Sequence, residues 1–168
     1  IGLSVDILHH GHINLINKAK NYGQLIVGLL TDKAILERKR LPLISYNNRK
    51  QILENINGVN KIVPQNEWSY CNNLKKIKPD IMVHGDDWIE HEPDLRKKSI
   101  NTLNQIGAKL IEIPYTKNIS SSRLSQRMFQ QHMMPINRMS SLKRMLDSKK
   151  FCRIIETHSP LAALIAEN

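Results

Sequence analysis

Cysteine, aromatic residues and long apolar runs are all scarce in this chain of 168 residues. The two cysteines, Cys71 and Cys152, lie far apart and form no metal-binding or redox spacing, which argues against a disulfide framework and indicates reduced thiols in a cytoplasmic protein. Only 5% of the residues are aromatic, so Ile, Leu, Val and Met must build most of the core. No apolar run approaches the length that spans a bilayer, and we therefore expect no membrane partner.

Acidic residues are also scarce. The chain has 15 Asp and Glu against 25 Lys and Arg, which gives a formal net charge of +10. Such an excess suits either a nucleic acid or a triphosphate substrate. The basic residues are spread along the chain, with one local cluster at residues 38–40 and no aromatic residues between them. This distribution argues against a nucleic-acid partner, and we predict that the chain does not bind nucleic acid.

Three histidines crowd one turn near the start of the chain. Residues 1–5 form a short apolar run, and apolar positions recur at helical spacing after residue 12. The turn therefore follows a predicted strand and opens a predicted helix, at the sheet edge where α/β proteins bind ligands. A helix start offers free backbone N–H groups to anions, and Gly11 allows close approach. His9 and His12 can each donate a hydrogen bond to phosphate, more strongly when protonated.

The histidine turn has two other interpretations. A histidine at a helix start is often only a cap, so the turn could be purely structural. Three histidines in four residues could also bind a metal ion, because imidazole is a common metal ligand. Spacing alone favours phosphate chemistry and leaves both alternatives open.

Predicted strands and helices alternate through the next hundred residues. Apolar runs predict further strands at residues 25–30, 61–64, 80–84 and 109–113. Caps and periodicity predict helices at residues 31–38, 45–57, 72–77, 94–106 and 120–130. This alternation predicts an α/β fold, a Rossmann-like parallel sheet with helices on both faces, joined by right-handed crossovers.

The pattern changes near residue 129, where methionines and a proline accumulate and no further strand follows. We therefore divide the chain into a first domain at residues 1–128, a linker at 129–139 and a C-terminal helical segment at 140–168. The last segment has helical periodicity but too few apolar residues for a core of its own.

Three more polar clusters fall where such a sheet would bind a ligand. Cations at residues 38–40 would neutralise a triphosphate. Residues 84–88 place carboxylates at a strand end, where they could accept a hydrogen bond from ribose or a base amino group, or hold Mg²⁺. Hydroxyl groups at residues 119–123 open a helix and suit phosphate oxygen. Each cluster alone could be a loop, turn or cap, but the four together indicate a nucleotide site.

Several short motifs resemble those of the nucleotidyltransferase family that includes glycerol-3-phosphate cytidylyltransferases. The matching segments are His9-x-Gly11-His12 with HxGH, Ser45-Tyr46-x-x-Arg49-Lys50 with SYxxRK, Gly85-Asp86-Asp87-Trp88 with GDDW, and residues 119–123 with ISTTK. The resemblance covers about residues 1 to 127 and implies the nucleotidylyl transferase fold.

The resemblance also implies a role for each matched residue. The implied catalytic residues, which contact the phosphates of CTP, are His9, His12 and Lys39, although Arg38 and Arg40 fit nearly as well as Lys39. The implied nucleotide-binding residues are Ser4, Val5, Gly11, Asp86, Ser120 and Ser121. The implied acceptor-binding residues are Asp6, Arg49 and Arg40. Mg²⁺ would accompany CTP, with no metal site of the protein's own, and we expect a homodimer.

The chain departs from the family pattern on the acceptor side. Tyr115 and Lys117 stand where glycerol-3-phosphate enzymes carry RTEG-type residues, and Asn118 replaces the glycine of that motif. The segment 3–6 replaces GTFD. The acceptor side is therefore altered relative to the glycerol-3-phosphate enzymes, which leaves the identity of the acceptor open.

Residues 141–146 and 154–167 resemble the opening of phosphoenolpyruvate mutase, an enzyme that forms a carbon–phosphorus bond and occurs fused to HxGH cytidylyltransferases in phosphonate biosynthesis. The implied reaction is transfer of CMP from CTP to a small phosphonate or phosphate acceptor, with release of pyrophosphate. Two alternatives stay open: an adenylyl-transferring relative of the same fold, or a catalytically silent nucleotide-binding module that serves the mutase.

Overall fold

Parallel strands and helices alternate in the chain, as the sequence predicts. The computed structural model describes residues 1–116, 119–131, 143–144 and 146–148. It divides the chain into two units, Ile1–Met134 and Pro135–Asn168. The few described residues of the second unit are helical. The predicted linker and C-terminal segment otherwise lie outside the described residues, so their boundaries stay predictions.

The elements of the first unit follow the predicted order. The strands are β1 (Gly2–Leu3), β2 (Ile26–Leu30), β3 (Lys61–Gln65), β4 (Ile81–Gly85) and β5 (Lys109–Ile113). The α-helices are α1 (His10–Ala19), α2 (Asp32–Ile35), α3 (Tyr46–Glu54), α4 (Cys71–Ile77), α5 (Trp88–His91), α6 (Pro93–Ile106) and α7 (Ser121–Gln131). In the described ranges, no helix is both long and apolar enough to cross a membrane.

The parallel α/β prediction is confirmed, although the sheet is in two parts. Strands β1, β2 and β3 form one parallel sheet in that order, and β4 pairs with β5 in a second. The two parts are separate because β1 contributes only two paired residues, Gly2 and Leu3, and both pair with β2. Both parts nevertheless share one core, in which Leu3 and Val27 pack in the same cluster as Val83 and Ile113.

Local capping signals explain some of the helix boundaries. The Thr31 hydroxyl accepts a hydrogen bond from the Ala34 N–H at 3.2 Å and starts α2. Gly107 ends α6 in the left-handed conformation, with φ of 72°. Ser45 occupies the N-cap position of α3, but its side chain makes no capping hydrogen bond. The four-residue helix α5 was not predicted, because it is too short to show periodicity.

Val5, at the end of β1, has a strained backbone. It is fully buried and has φ of 48°, a conformation that a β-branched residue rarely adopts. Such strain costs of order 1–3 kcal/mol and persists only when the surroundings enforce it. Asp6 helps to enforce it on one side, because its Oδ1 accepts a hydrogen bond from the Ile44 N–H at 3.2 Å.

Arg49 secures the other side of Val5. Its guanidinium is fully buried and donates to the Ser4 carbonyl, to the Ile44 carbonyl at 3.0 Å and to Asp32 Oδ1 at 2.7 Å. These bonds connect the end of β1, the loop before α3 and the start of α2. Arg49 is therefore a brace between three parts of the scaffold.

Replacing the Arg49 side chain should destabilise the fold strongly. Arg49→Ala removes one buried donor from the Asp32 carboxylate and from each of two backbone carbonyls, and we expect a loss of about 3 kcal/mol or more. The matched control is Lys50→Ala, because Lys50 forms an exposed pair with Glu54 at 3.0 Å and should contribute less than about 0.5 kcal/mol. Urea unfolding measures both variants, and equal losses would contradict the brace.

Candidate active site

The candidate site is a cavity of about 340 Å³ at the carboxyl ends of the strands, where α1 and α7 begin. Seven predicted site residues line it: Ser4, His9, Gly11, His12, Lys39, Ser120 and Ser121. Five predicted residues do not line it: Val5, Asp6, Arg40, Arg49 and Asp86. A larger cavity of about 520 Å³ is lined by residues of β2 and β4 and contains none of the twelve, so volume alone does not identify the site.

His9 and His12 cap the start of α1 reciprocally. His9 is the N-cap residue, and its Nδ1 accepts a hydrogen bond from the Gly11 N–H at 3.2 Å. His12 Nδ1 accepts one from the His9 N–H at 3.3 Å. The two rings lie 3.9 Å apart, centroid to centroid. Two imidazoles thus perform the task that a Ser/Thr and Glu pair performs in an ordinary capping box.

The cap determines which nitrogen of each ring carries the proton. Because each Nδ1 accepts a hydrogen bond, the proton of each neutral imidazole is on Nε2. Each ring therefore keeps one N–H donor that the cap does not use. The structural and the phosphate-binding interpretations of the turn are compatible for this reason.

Both imidazoles are neutral near pH 7. Burial lowers the pKa of His9, and the nearby His10 lowers it further. Burial lowers the pKa of His12 to about 3, with added repulsion from His9 and Lys39. The stronger donation of a protonated ring is therefore not in play in the free protein near pH 7. Neutral N–H groups are the donors that the site presents.

Gly11 is needed for the cap itself. A Cβ at this position would lie 2.9 Å from His9 Nδ1, too close for a real contact. The sequence suggested only that a glycine here would let a ligand approach. The structure adds that any side chain would displace the ring of His9.

Lys39 alone of the three clustered cations lines the cavity. Arg38 lies 3.5 Å from Glu92, and Arg40 lies 3.4 Å from Asp6. Lys39 Nζ lies 5.2 Å from the ring centroid of Trp68, within the range of a cation–π interaction. The sequence did not separate these three cations, and the structure singles out Lys39.

The start of α7 closes the cavity on another side. The Ser120 hydroxyl accepts a hydrogen bond from the Arg123 N–H at 3.2 Å and keeps its own proton to donate. The Ser121 hydroxyl donates to the Ile7 carbonyl at 3.0 Å and so ties α7 to the histidine turn. A phosphate could be held by the Ser120 hydroxyl and by the free N–H groups of the first helical turn.

The carboxylate at the end of β4 that lines the cavity is Asp87, not Asp86. Asp86 is exposed, and its Oδ1 accepts a hydrogen bond from the Tyr115 N–H at 2.8 Å. Asp86 therefore joins the loops after β4 and β5. The two adjacent carboxylates of this turn therefore point in different directions, and Asp87 is the one placed to contact a ligand in the cavity.

An aromatic wall beside Asp87 was not predicted. His84 stacks on Trp88 with the ring centroids 3.8 Å apart, and its Nδ1 lies 2.7 Å from the Gly85 carbonyl. Tyr70 Oη lies 3.0 Å from His84 Nε2, and Trp88 donates to Glu112 at 2.6 Å. Burial raises the pKa of Tyr70, so its hydroxyl stays protonated and donates to His84. Burial also lowers the pKa of His84, which is neutral.

The three predicted acceptor-binding residues lie outside the cavity. Arg40 and Asp6 contact each other, and Arg49 is buried in the scaffold with its donors bound to protein oxygens. The prediction that Arg49 meets the acceptor anion is therefore corrected. A short motif identifies the residue type but not the direction in which its side chain points.

The metal interpretation of the histidine turn receives no geometric support. Within the described ranges, no three side chains of His, Cys, Asp or Glu cluster closely enough to hold a metal ion. His9 and His12 each use Nδ1 in the cap, which leaves one nitrogen per ring.

The parallel α/β fold places the paired imidazole donors and Lys39 at one cavity. The chain belongs to the cytidylyltransferase-like family, whose model matches residues 4–127.

Two sequence relatives and one solved structure illustrate the similarity. The chain is 35% identical to the glycerol-3-phosphate cytidylyltransferase of Bacillus spizizenii, over 73% of this chain and 90% of that protein. It is 31% identical to the enzyme of the same name from Staphylococcus aureus, over 74% of this chain and 89% of that protein. The crystal structure of a lipopolysaccharide core biosynthesis protein from Thermoplasma volcanium superposes with a TM-score of 0.59. The two sequences are 26% identical, and the superposition covers 69% of this chain and 94% of that chain.

Acid should destabilise the protein through His12. The unfolded chain binds a proton near pH 6.5, whereas folded His12 binds one only near pH 3, so stability falls as the pH drops below 6.5. At about 1.4 kcal/mol per pH unit, the loss between pH 7 and pH 5 is about 2 kcal/mol. His12→Gln removes this titration and should show a smaller loss in urea unfolding at the two pH values. Identical pH dependence of the two proteins would contradict the assignment.

Proposed function

We propose that the protein transfers CMP from CTP to a small acceptor that carries a phosphate or phosphonate group, with release of pyrophosphate. The observation that carries the proposal is the pair of neutral Nε2–H donors that the reciprocal cap leaves at the start of α1. The cytidylyltransferase names of the relatives support CTP as the nucleotide.

The reaction needs positioning more than covalent catalysis. An oxygen of the acceptor attacks the α-phosphorus of CTP in line and forms a new phosphorus–oxygen bond. The bond from the α-phosphorus to the bridging oxygen breaks, and pyrophosphate leaves with its electron pair. For a phosphate acceptor the attacking oxygen is already largely ionised near pH 7, since the second pKa of a phosphate monoester is about 6, so no side-chain base is required.

The residues that line the cavity supply charge stabilisation in this scheme. His9 and His12 donate to oxygens on the reacting phosphate, where negative charge develops. Lys39 neutralises the departing pyrophosphate. Ser120 and the first N–H groups of α7 hold the terminal phosphates. Asp87 accepts a hydrogen bond from the nucleoside.

CTP enters as its magnesium complex in this proposal. Nucleotide-bound Mg²⁺ keeps several waters and binds the substrate phosphates, and the cavity is lined by a second carboxylate, Glu92, besides the Asp87 that contacts the nucleoside. The metal ion neutralises part of the triphosphate charge when bound.

We further propose a phosphonate as the natural acceptor and a phosphoenolpyruvate mutase as the domain that the chain serves. Support comes from the resemblance of residues 141–146 and 154–167 to that mutase, and these residues lie almost wholly outside the described ones. The replacement of the last residues of the RTEG-type segment by Lys117 and Asn118 also favours an acceptor other than glycerol 3-phosphate.

A pyrophosphate-release assay tests the reaction. CTP or ATP is supplied with Mg²⁺ and with glycerol 3-phosphate, a small alkylphosphonate or no acceptor. We expect release with CTP only when an acceptor is present, and faster with the phosphonate. Faster release with ATP would favour an adenylyl-transferring enzyme. CTP binding without release for any acceptor would favour a silent nucleotide-binding module.

Variants of the three histidines test the donor pair. His9→Ala and His12→Ala should each lower kcat/KM by about a hundredfold or more, the scale of losing one oxyanion donor. His10→Ala is the matched control and should have little effect, because His10 is exposed and makes no part of the cap. Gln at position 12 should recover part of the activity, because its amide can replace the Nε2–H donor. Equal losses at all three positions, or recovery with zinc, would contradict the proposal.

A further inference from the structure

Tyr115 is an exposed aromatic residue in the wall of the site. Its side chain is 40% exposed although it lines the cavity between β4 and α7. A large ring left open to solvent in the wall of a cavity offers a flat face on which a base can stack.

Two hydrogen bonds, one at the hydroxyl and one at the backbone N–H, hold Tyr115 in place. Its hydroxyl donates to the Ile119 carbonyl at 3.0 Å, and its backbone N–H donates to Asp86 Oδ1 at 2.8 Å. On one side the ring lies over Gly85, where an added Cβ would meet Tyr115 Cδ2 at 3.4 Å. The hydroxyl and one edge are therefore occupied, and the exposed area belongs to a ring that is held in place.

We propose that Tyr115 is the stacking platform for the nucleobase of bound CTP. This inference rests on the proposed function and assigns the base end of the nucleotide within the same site.

Charge divides the cavity into two ends. His9 and Lys39 present donors and a positive charge at the α1 end, which suits the phosphates. At the other end Asp87 Oδ1 lies 2.9 Å from the position of a Cβ on Gly85, so a carboxylate stands beside the Tyr115 ring. A phosphate there would be repelled. A flat base with an amino group would stack on the ring and donate to the carboxylate, as cytosine can.

Ile119 connects the two ends. Its carbonyl holds the Tyr115 hydroxyl, and its Cγ2 lies 3.4 Å from where a Cβ on Gly11 would be. Only Ile119 therefore separates the Tyr115 hydroxyl from Gly11 at the start of α1. A single nucleotide can therefore place its phosphates at α1 and its base on Tyr115.

Binding of CTP and of inorganic tripolyphosphate, each measured by calorimetry with Mg²⁺, separates a base contact from a phosphate contact. Tyr115→Leu keeps an apolar side chain but removes the stacking face, and should weaken CTP binding by about tenfold or more. It should leave tripolyphosphate binding unchanged, which also shows that the site is folded. Tyr115→Phe keeps the ring and should bind CTP nearly as tightly as the unaltered protein. Tyr22→Leu is the control, because Tyr22 is 50% exposed and lies outside this cavity.

Three outcomes would overturn the inference. They are unchanged CTP binding by Tyr115→Leu, equal weakening of CTP and tripolyphosphate, and tripolyphosphate binding by the unaltered protein as tight as CTP. Failure of the proposed function is distinguishable. If CTP binds and depends on Tyr115 but no acceptor yields pyrophosphate, the platform stands and the transfer reaction does not.

Discussion

The reciprocal cap between His9 and His12 is the interaction on which the rest of the site depends. It satisfies two backbone N–H groups at the start of α1 and at the same time assigns the proton of each ring to Nε2. It explains why residue 11 is glycine, because a Cβ there would meet the His9 ring. Burial keeps both rings neutral, so the donors exist without the cost of buried positive charge. The hydrogen bonds that cap α1 thus also set the two N–H donors of the site.

The residues behind the cap hold Val5 in a strained backbone conformation. Val5 is buried with a left-handed backbone between Ser4, which lines the cavity, and Asp6, which begins the turn. Arg49 holds the Ser4 carbonyl, and the Ile44 N–H holds Asp6. Strained residues are concentrated at functional sites when the surroundings over-determine them. The buried arginine therefore serves the site indirectly, by fixing the strand end from which the histidine turn departs.

Much of this could be predicted from the sequence, because periodicity and capping are local signals. The alternation of strands and helices predicted the parallel fold, and the short motifs named seven residues that line one cavity. The direction in which a side chain points, and the residues it contacts, are not determined by local sequence. Nothing in the order of residues distinguishes Asp86 from Asp87, or shows that Arg49 turns into the core. The Tyr70–His84 contact joins residues 14 positions apart on elements that only the folded chain brings together.

The most direct test of this account is the protonation state of the two histidine rings, measured by ¹⁵N NMR correlation of their side chains. The account predicts that at pH 7 both His9 and His12 are neutral with the proton on Nε2, and that His12 does not titrate above pH 5. Addition of magnesium CTP should then shift the Nε2 resonances of both rings. A proton on Nδ1 of either ring, or charged imidazolium at pH 7, would contradict it.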